Sequence, residues 1–454
     1  MTNIPNHYGY GLRNDEKPYA HKIPDGGNWR DLPEEEQKAF MKGAFYSGGG
    51  QTTYLRKMSW DEPALTITAS VMAKATCHLH PNKPIERSEY MGDFNLTPQL
   101  PANGLTVLEL FCGGGLGAIG FKAAGYDIVK ALDFDKNAVK AYRHNFGDYV
   151  EQADINEIDI DSLPDTDVIF GGPPCQDFSV AGKGEGANGE RGKLVFRYLE
   201  IIERKQPKAF VFENVKGLIT KRHRPTFDAL IERFNEIGYE ISWKVLSAWD
   251  YGVAQKRERV FIVGIRKDLG ITFEFPKPLE GDYQTRVLRD VIGDLPEPER
   301  HSGQPIHPDG PRYANHLTKA LSDTEYAIAE KVPPGGDFKD APDELLPDHL
   351  RFLKNSKRSE RNGGQGFAFK RYELSDVSHT VTSDVTQKRT LKLHPKANRR
   401  FTVRECLRIQ SAPDTYVLPD DISLSAQYRI VGNGIASRVA WYVGRALADQ
   451  LSSN

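Results

Sequence analysis

A cysteine lies at the centre of the segment GGPPCQDFS, residues 171–179. Two prolines fix the backbone before Cys175, and an apolar stretch precedes the segment. We therefore expect the thiol to be presented at the end of a strand rather than packed in a core. A presented thiol becomes a nucleophile when its neighbours stabilise the thiolate, which makes Cys175 the candidate nucleophile.

Charged side chains that could assist a nucleophile follow two later apolar stretches. Glu213 lies in the segment FENVKG, and Arg257 and Arg259 lie in QKRER. A carboxyl group in a closed pocket can have a raised pKa and serve as an acid, whereas an arginine keeps its positive charge. These three residues are the remaining candidates for catalysis.

Alternating strand-like and helix-like segments would position these residues. The predicted strands are 105–111, 126–134, 167–172, 208–215 and 259–265. Helix-sized segments between strands imply right-handed crossovers and a mostly parallel sheet that is covered on both faces. The predicted fold class is therefore α/β, a doubly wound sheet over about 101–275, whose ligands bind beyond the carboxyl ends of the strands.

Three features at the predicted strand ends suggest a cofactor. Gly113 and Gly115, in FCGGGLG, would let the backbone approach a ligand at a helix N-terminus. Asp133 closes the second strand, where an acid commonly accepts ribose hydroxyls, and Asp154 could accept from an adenine amino group. Taken singly, each feature also fits a tight turn or a helix cap. Together they describe a cofactor that contains adenosine.

Length and composition set further limits. A chain of 454 residues favours two or more lobes. Its four cysteines, Cys77, Cys112, Cys175 and Cys406, stand far apart without a C-x-x-C pair, so we expect neither a bound metal nor a disulfide framework. There is no long apolar run and no basic-then-apolar leader, so we expect no membrane span and a cytoplasmic protein.

Net charge is only -2, but positive charge is concentrated late in the chain. Residues 351–405 hold 14 Lys or Arg against 5 Asp or Glu. Both a solvated face and a phosphate-binding surface fit this local excess.

Six motifs in order resemble those of the cytosine-C5 DNA methyltransferases. They are FCGGGLG, PPCQDFS, FENVKG, QKRER, RFTVRECLRIQSAPDTY (400–416) and QYRIVGNGIASRVAWYVGRAL (427–447). The resemblance implies that a methyl group passes from S-adenosylmethionine to carbon 5 of a flipped-out cytosine in a specific duplex DNA sequence, through a covalent adduct with Cys175. The family usually has a small residue and valine after its Gly-Asn pair, where this chain has Gly434 and Ile435.

The resemblance also implies roles for individual residues. Glu213 would hold or protonate N3 of the cytosine, Arg259 would contact O2, and Arg257 would position a loop or a phosphate. The implied cofactor contacts are Phe111, Gly113, Gly115, Asp133, Phe134, Asp154, Ile155, Pro174, Leu194 and Asn433. The expected DNA contacts are Gln176, Ser179, Lys370, Arg371, Lys388 and Arg389.

The resemblance predicts a catalytic domain over 101–275, a target recognition lobe over 276–424 and a C-terminal segment, 425–454, whose helix returns to the catalytic domain. Residues 1–100 form an additional segment that partly repeats the recognition lobe. Residues 49–81 align with 363–395 at a constant offset of 314, and about a third of the aligned positions are identical. DGGNWRDLPEE (25–35) also echoes PGGDFKDAPDE (334–344).

Three interpretations of this N-terminal copy stay open. The copy could complete the recognition lobe, contact DNA itself, or be a remnant without a role. Such a duplication of one structural unit is a recognised sequence pattern, but the pattern alone does not decide among them.

Two other function classes were compared with DNA methylation. A tRNA cytosine-5 methyltransferase would carry a Cys-Phe-Thr signature, which this sequence lacks. A catalytically silent DNA-binding protein would be expected to have lost the cysteine, the glutamate or the glycines. Double-stranded DNA is therefore the expected partner, with a restriction endonuclease of the same specificity as a further one. The recognised DNA sequence and the oligomeric state cannot be read from this chain.

Overall fold

The structure is a computed structural model of the chain. It describes residues 17–20, 22–24, 27–41, 56–57, 78–79, 102–174, 192–221, 223–279, 286–298, 313–355, 368–383 and 391–452. The chain divides into two compact units, Met1–Asn95 and Leu96–Asn454.

The first unit contains two helices and a pair of short strands. The bounds are α1 (Lys17–Ala20), α2 (Glu34–Met41), β1 (Arg56–Lys57) and β2 (His78–Leu79). A single 3-10 turn, Trp29–Asp31, precedes α2. Trp29 and Phe40 are buried, and β1 pairs with β2 in parallel. The described part of this unit therefore contains buried aromatic side chains.

A seven-stranded sheet forms the centre of the second unit. Its strands are β3 (Thr106–Leu110), β4 (Asp127–Asp133), β5 (Val150–Gln152), β6 (Val168–Gly171), β7 (Ala209–Val215), β8 (Tyr239–Ser247) and β10 (Glu258–Arg266), whereas the short β9 (Gln255–Lys256) lies outside the sheet. The order is β5-β4-β3-β6-β7-β10-β8, and the strands from β5 to β7 are parallel. The chain changes direction across the sheet between β3 and β6, which is where a ligand of such a fold binds.

Helices cover both faces of the sheet. One core cluster joins the strands to α3 (Leu116–Ala123), α4 (Lys136–Phe146) and α12 (Ser437–Ser452), and the other joins them to α5 (Gly192–Lys205) and α6 (Arg224–Glu236). The predicted doubly wound, mostly parallel α/β fold is confirmed.

One strand contradicts the predicted parallel series. The segment predicted at 259–265 is β10, and it runs antiparallel to both β7 and β8. Strand β8, which was not predicted, precedes it and has apolar residues without a clean alternation. Because only the residues between Ser247 and Glu258 separate β8 from β10, the chain has no room for a crossover helix and must turn back.

The helix α12 packs closely on α3. A side chain at Gly120 would meet the backbone of α12, with Cβ 2.4 Å from the carbonyl oxygen of Ser437. At the other end of the contact, the Tyr126 hydroxyl donates to the carbonyl of Gly444 at 2.9 Å. Glycine is therefore needed at position 120, because the two helix backbones approach without room for a methyl group.

The remaining elements lie between β10 and α12. They are α7 (Leu288–Ile292), α8 (Asp323–Lys331), α9 (Asp348–Asn355), β11 (Lys370–Arg371), β12 (Ser378–His379), β13 (Lys392–Leu393), α10 (Val403–Ile409) and α11 (Leu424–Asn433). Ile328, Phe338 and Leu350 belong to a separate apolar core in this region. Strand β12 pairs with β9 in parallel, which ties the region to the sheet-bearing part of the unit.

Arg371, which was predicted to contact DNA, does not lie on the surface. Its side chain is buried, and its guanidinium donates to the carbonyls of Ala329, Val332 and His394 as well as to neighbouring groups. Arg371 thus donates hydrogen bonds to the backbone carbonyls at the C-terminal end of α8, where helix carbonyls lack partners within the helix. The basic run around it had suggested a surface position.

Candidate active site

A cavity of about 970 Å³ opens at the carboxyl ends of β3, β4 and β6. Nine of the ten predicted cofactor residues line it, as do Glu213, Arg257 and Arg259. Predicted cofactor and catalytic residues from separate parts of the sequence thus share one cavity. Gly115 is the exception, because it does not line the cavity.

The turn after β3 adopts backbone conformations that favour glycine. Gly113 has φ 55°, Gly115 has φ 88°, and even Phe111 has φ 56°, which is rare for a non-glycine residue. At Gly115 the space is also closed, since a Cβ would lie 2.3 Å from the ring of Phe146. Gly115 therefore packs against Phe146 at the start of α3, outside the cavity lining. Gly113 lines the cavity, and no atom lies within 4 Å of the position that its Cβ would take.

Asp133, at the end of β4, holds this turn in place. Its carboxylate accepts hydrogen bonds from the backbone N–H of Gly113 and of Asp135, each at 2.8 Å. Burial raises the pKa of Asp133, and the backbone donors oppose that rise. The carboxylate is thus both a structural anchor and an acceptor at the cavity wall.

Two more side chains line the same side of the cavity. Phe134 is 73% exposed, an unusual position for a large aromatic ring. Asp154 accepts from the backbone N–H of Asn156 at 2.9 Å, and the neighbouring Ile155 is buried. The arrangement is an exposed ring beside acceptors, which suits a flat polar heterocycle.

The lining also includes Leu194 of α5, Pro174 and the end of α11. Asn433 is the last residue of α11, and the backbone on either side of it is fixed by Arg257. The buried guanidinium of Arg257 donates to the carbonyls of Gly432 at 3.0 Å and Gly434 at 2.9 Å. It also donates to the carbonyl of Val381 at 3.1 Å. Burial lowers the pKa of Arg257 to about 9, which leaves it charged at neutral pH.

The backbone at Gly432 is packed too closely for any side chain. A Cβ there would lie 2.3 Å from backbone atoms of Thr382 and Ser383. The turn beside Asn433 and the segment after β12 are therefore in direct backbone contact, and one arginine, Arg257, binds both.

A buried ion pair forms the remaining part of the cavity. Glu213 of β7 and Arg259 of β10 lie on adjacent strands, with Arg259 paired to Val215 two residues after Glu213, and Arg259 Nε is 3.0 Å from Glu213 Oε1. Burial raises the pKa of Glu213, while the charges of Arg259 and Arg257 oppose that rise. This part of the cavity therefore contains a carboxyl group with a raised pKa beside the positively charged guanidinium groups of Arg257 and Arg259.

Several predicted residues lie outside the described residues. They are Cys175, Gln176, Ser179, Lys388 and Arg389. The chain is described up to Pro174, and the side-chain amide of Asn214 donates to the carbonyl of Pro173 at 2.9 Å. Asn214 thus anchors the turn that leads to Cys175. Lys370 is partly buried and donates to the carbonyl of Gly335.

Sequence reasoning missed three residues of this site. Asn214 was overlooked although it directly follows Glu213 in FENVKG. Glu109 lines the cavity, accepts from the Tyr142 hydroxyl at 2.7 Å, and has a pKa raised by burial to about 8. Arg429, which pairs with Asp135 at 2.7 Å on the rim, belongs to the last motif. An acid inside an apolar strand, as at Glu109, was the available signal.

The described residues form neither a metal site nor a membrane-spanning helix. Among them, no group of histidine, cysteine and acidic side chains could hold a metal ion. No helix within the described ranges is long and apolar enough to cross a membrane.

Comparison with known proteins identifies the class to which this fold and cavity belong. Residues 105–449 match the family described as C-5 cytosine-specific DNA methylase. The chain belongs to that family.

Relatives agree with this assignment, and a solved structure shares the fold. The type II methyltransferase M.Sau96I of Staphylococcus aureus is 35% identical over 353 residues, which cover 76% of each chain. The type II methyltransferase M.FnuDI of Fusobacterium nucleatum is 32% identical, with 77% of this chain and 95% of the relative covered. A structure described as a prophage-encoded DNA modification methyltransferase of Escherichia coli matches with a TM-score of 0.54 at 22% identity, over 77% of this chain and 100% of the other.

Proposed function

We propose that the protein transfers a methyl group from S-adenosylmethionine to carbon 5 of a cytosine within a specific sequence of duplex DNA. The observation that carries this proposal is one cavity in which a glycine turn and Asp133 face the buried Glu213–Arg259 pair. One side suits a nucleoside and the other suits a polar ring that must be protonated. Membership of the family supplies the reaction class.

The side of Asp133 fits S-adenosylmethionine. The carboxylate of Asp133 would accept from ribose hydroxyls, Phe134 would stack on the adenine, and Asp154 would accept from its amino group. Phe111, Gly113, Ile155, Leu194 and Asn433 would enclose the rest of the cofactor. When bound, the cofactor supplies an electrophilic methyl group. Pro174 would separate it from the reactive thiol.

The side of Glu213 fits a cytosine. Cys175 would attack carbon 6 as a thiolate, and the electron pair displaced toward the ring would make carbon 5 nucleophilic. Glu213 would donate its proton to N3, and Arg259 would donate hydrogen bonds to O2. After methyl transfer, loss of the carbon 5 proton, expulsion of the thiolate and return of the N3 proton to Glu213 would restore the aromatic ring and the acid.

The depth of the cavity requires that the target base leave the duplex. A cytosine stacked in a helix cannot reach a carboxyl that is only 8% exposed. The cytosine must therefore be flipped into the cavity. Gln176 and Ser179, next to the nucleophile, are proposed to contact the DNA as the base enters.

The recognition lobe is proposed to extend over 276–424, between the catalytic domain at 101–275 and the C-terminal helix segment at 425–454. Lys370, Lys388 and Arg389 lie in its basic part and would neutralise phosphates. The relatives named above are type II methyltransferases, so we propose that this protein modifies DNA in a restriction-modification system. A cognate endonuclease would then act on the same sequence.

The experiment that tests this proposal is conversion sequencing of plasmid DNA from cells that express the protein. It reports modified cytosines together with their flanking bases. Complete methylation confined to one short sequence is expected. Unmodified plasmid in cells that contain folded protein would overturn the proposal and direct attention to an RNA substrate, for which tRNA from the same cells is the material to sequence.

A further inference from the structure

The two edges of the seven-stranded sheet differ in length. Strand β8 (Tyr239–Ser247) forms one edge and has nine residues, whereas β5 (Val150–Gln152) forms the other and has three. Exposed strand edges are usually short or interrupted by proline, because their unpaired N–H and C=O groups can pair with another strand. Strand β8 contains neither proline nor glycine. It is therefore the edge that is long and regular enough to accept a further strand.

The register with β10 determines which backbone groups of β8 point outward. Beyond one end of the ladder, the N–H of Ala248 donates to the Arg257 carbonyl at 2.9 Å. Beyond the other end, the N–H of Lys267 donates to the Gly238 carbonyl, also at 2.9 Å. Both bonds continue the unbroken antiparallel register, so the even-numbered residues of β8 bond to β10. The N–H and C=O groups of the odd-numbered residues therefore point away from the sheet.

The outward groups at the centre of β8 belong to Ile241, Trp243 and Val245. No described residue forms a backbone hydrogen bond with them on this side of the strand. Trp243 is 38% exposed, and the neighbouring Lys244 is exposed as well. The middle of this edge is thus open to solvent.

Both faces of β8 are covered near its centre. On one face, the rings of Trp243 and of Phe227 in α6 meet edge to face with centroids 4.9 Å apart, and the guanidinium of Arg224 lies over both rings. On the other face, the Ser242 hydroxyl donates to the Phe273 carbonyl at 2.7 Å. The surface that this part of β8 leaves for a partner is therefore its edge.

The charges along β8 are complementary to those of a second, antiparallel copy of the strand. When two copies meet about a two-fold axis at Ser242, Glu240 of each copy lies opposite Lys244 of the other. The same register places Ile241 opposite Trp243, so the outward N–H and C=O groups of the two copies match. The even-numbered pairs then occupy the non-hydrogen-bonded positions, where opposing side chains are closest. Two pairs of opposite charge therefore form at these close positions.

Other two-fold registers lack this complementarity. An axis at Trp243 places Lys244 opposite Ser242, and an axis at Ile241 places Glu240 opposite Ser242. An axis between two residues pairs odd with even positions, which leaves the outward backbone groups unmatched. Within the described part of the chain, neither Glu240 nor Lys244 forms an ion pair that would compete. Charge and backbone direction thus select the same register.

We propose that the edge of β8 is a self-association surface, on which two copies of the chain pair antiparallel about Ser242 and continue the sheet from one copy into the other. Such an interface joins identical surfaces, as a two-fold dimer requires. A single strand edge is smaller than a standard protein interface, so we expect a dissociation constant on the order of 10 μM. No residue of β8 lines the cavity, so this association is independent of the proposed reaction.

The test is analytical ultracentrifugation of the full chain at concentrations from about 1 to 200 μM. We expect wild type to convert reversibly from monomer to dimer. Lys244→Glu and Glu240→Lys each bring like charges together at both symmetric positions, so each should weaken the dimer by about 10- to 100-fold. The double variant Glu240→Lys/Lys244→Glu restores opposite charges and should associate like wild type.

A mixture of the two single variants tests the register itself. The Glu240→Lys chain carries lysine at both positions, and the Lys244→Glu chain carries glutamate at both. Every opposing pair in a mixed dimer is then complementary, whereas every pair in either homodimer repels. With a fluorescent label on one variant, we expect mixed dimers at concentrations where each variant alone stays monomeric.

Controls separate this interface from unfolding and from other surfaces. Glu151→Lys changes a charge on β5, at the opposite edge, and should associate like wild type. Thermal melting identifies any variant that is not folded; if Glu240→Lys is unstable, Glu240→Gln removes the charge without reversing it and should weaken the dimer to a smaller extent.

Two results would overturn the proposal. A wild-type protein that stays monomeric up to about 200 μM would show that Lys244 protects the edge instead of pairing across it. A dimer of equal strength in wild type and in folded Lys244→Glu would show that the copies associate through another surface.

Discussion

The two sides of the cavity are built by different physical means. On the side of Asp133, the shape comes from the backbone: the conformations at Phe111 and Gly113 and the two N–H groups that Asp133 accepts. On the side of Glu213, the chemistry comes from buried charge, since the largely buried carboxyl is paired with Arg259. Backbone conformation is thus enough to shape a binding site. A site that transfers protons also needs charged groups, and burying those groups costs free energy.

The largest expected effect is the loss of methyl transfer when Cys175, on the Glu213 side of the proposed site, is replaced. Cys175→Ala should abolish methyl transfer, because the proposed adduct at carbon 6 forms through this thiol. Binding of S-adenosylmethionine should persist, since the geometric side is untouched. Single-turnover assays and calorimetry with the cofactor measure the two quantities, and retained turnover would rule out covalent attack by this thiol.

Glu213→Gln should lower kcat by about 100- to 10,000-fold, the usual contribution of a positioned acid. Burial raises the pKa of Glu213, so its protonated form persists to higher pH than that of an ordinary glutamate. The wild-type rate should therefore fall as pH rises through that pKa, and the variant should lack this limb of the profile. Identical pH profiles for the two proteins would show that Glu213 is not the acid.

Asp133→Asn tests the geometric side. The amide loses a charged acceptor and presents N–H groups toward the N–H donors of Gly113 or Asp135. We expect the dissociation constant for S-adenosylmethionine to rise by about 10- to 100-fold, the value of one or two charge-assisted hydrogen bonds. The rate at saturating cofactor should change far less. A large fall in kcat without a change in affinity would contradict the division between the two sides.

Arg257→Lys tests whether the two sides are connected. A lysine cannot reach the carbonyls of Val381, Gly432 and Gly434 together, so the affinity for the cofactor and that for DNA should both fall, each by several-fold. Lys256→Ala, at the exposed neighbouring position, is the matched control. If only one affinity changes in Arg257→Lys, the arginine serves a single side.

Phe134→Ala should have the smallest effect. Loss of one exposed stacking ring corresponds to about 0.5–1.5 kcal/mol, so cofactor affinity should fall by about 2- to 10-fold with kcat unchanged. Phe134→Leu should fall between the alanine variant and wild type. Equal affinities for all three proteins would show that this ring does not stack on the cofactor.

The sequence predicted the strand ends well, because buried parallel strands are short apolar runs and the acidic residues at or near their ends, such as Asp133 and Glu213, break the pattern. It did not predict the reversal of β10, since the connection from Ser247 to Glu258 carries no strong hairpin signal. The antiparallel direction of β10 still places Arg259 at the cavity. The start of an antiparallel strand lies beside the end of its neighbour, so Arg259 is next to Glu213 near the end of β7.

Residues in the basic region were harder to interpret. Arg371 lies within a run of positive charge, but its partners are carbonyls contributed by α8 and by the segment near His394. A sequence gives no measure of which carbonyls will lack a partner after folding. Gly115 was misplaced for a related reason: its need for glycine comes from Phe146, which lies on another helix.

The contact between Gly432 and the backbone at Thr382 and Ser383 has a consequence for exchanging specificities between related enzymes. A transplanted recognition lobe must reproduce this contact and the Val381 carbonyl that Arg257 binds. A chimera should therefore keep residues 378–383 of the recipient enzyme, with the joins placed before 378 and after 383. Such an exchange would keep the contacts that hold the end of α11 against the segment after β12.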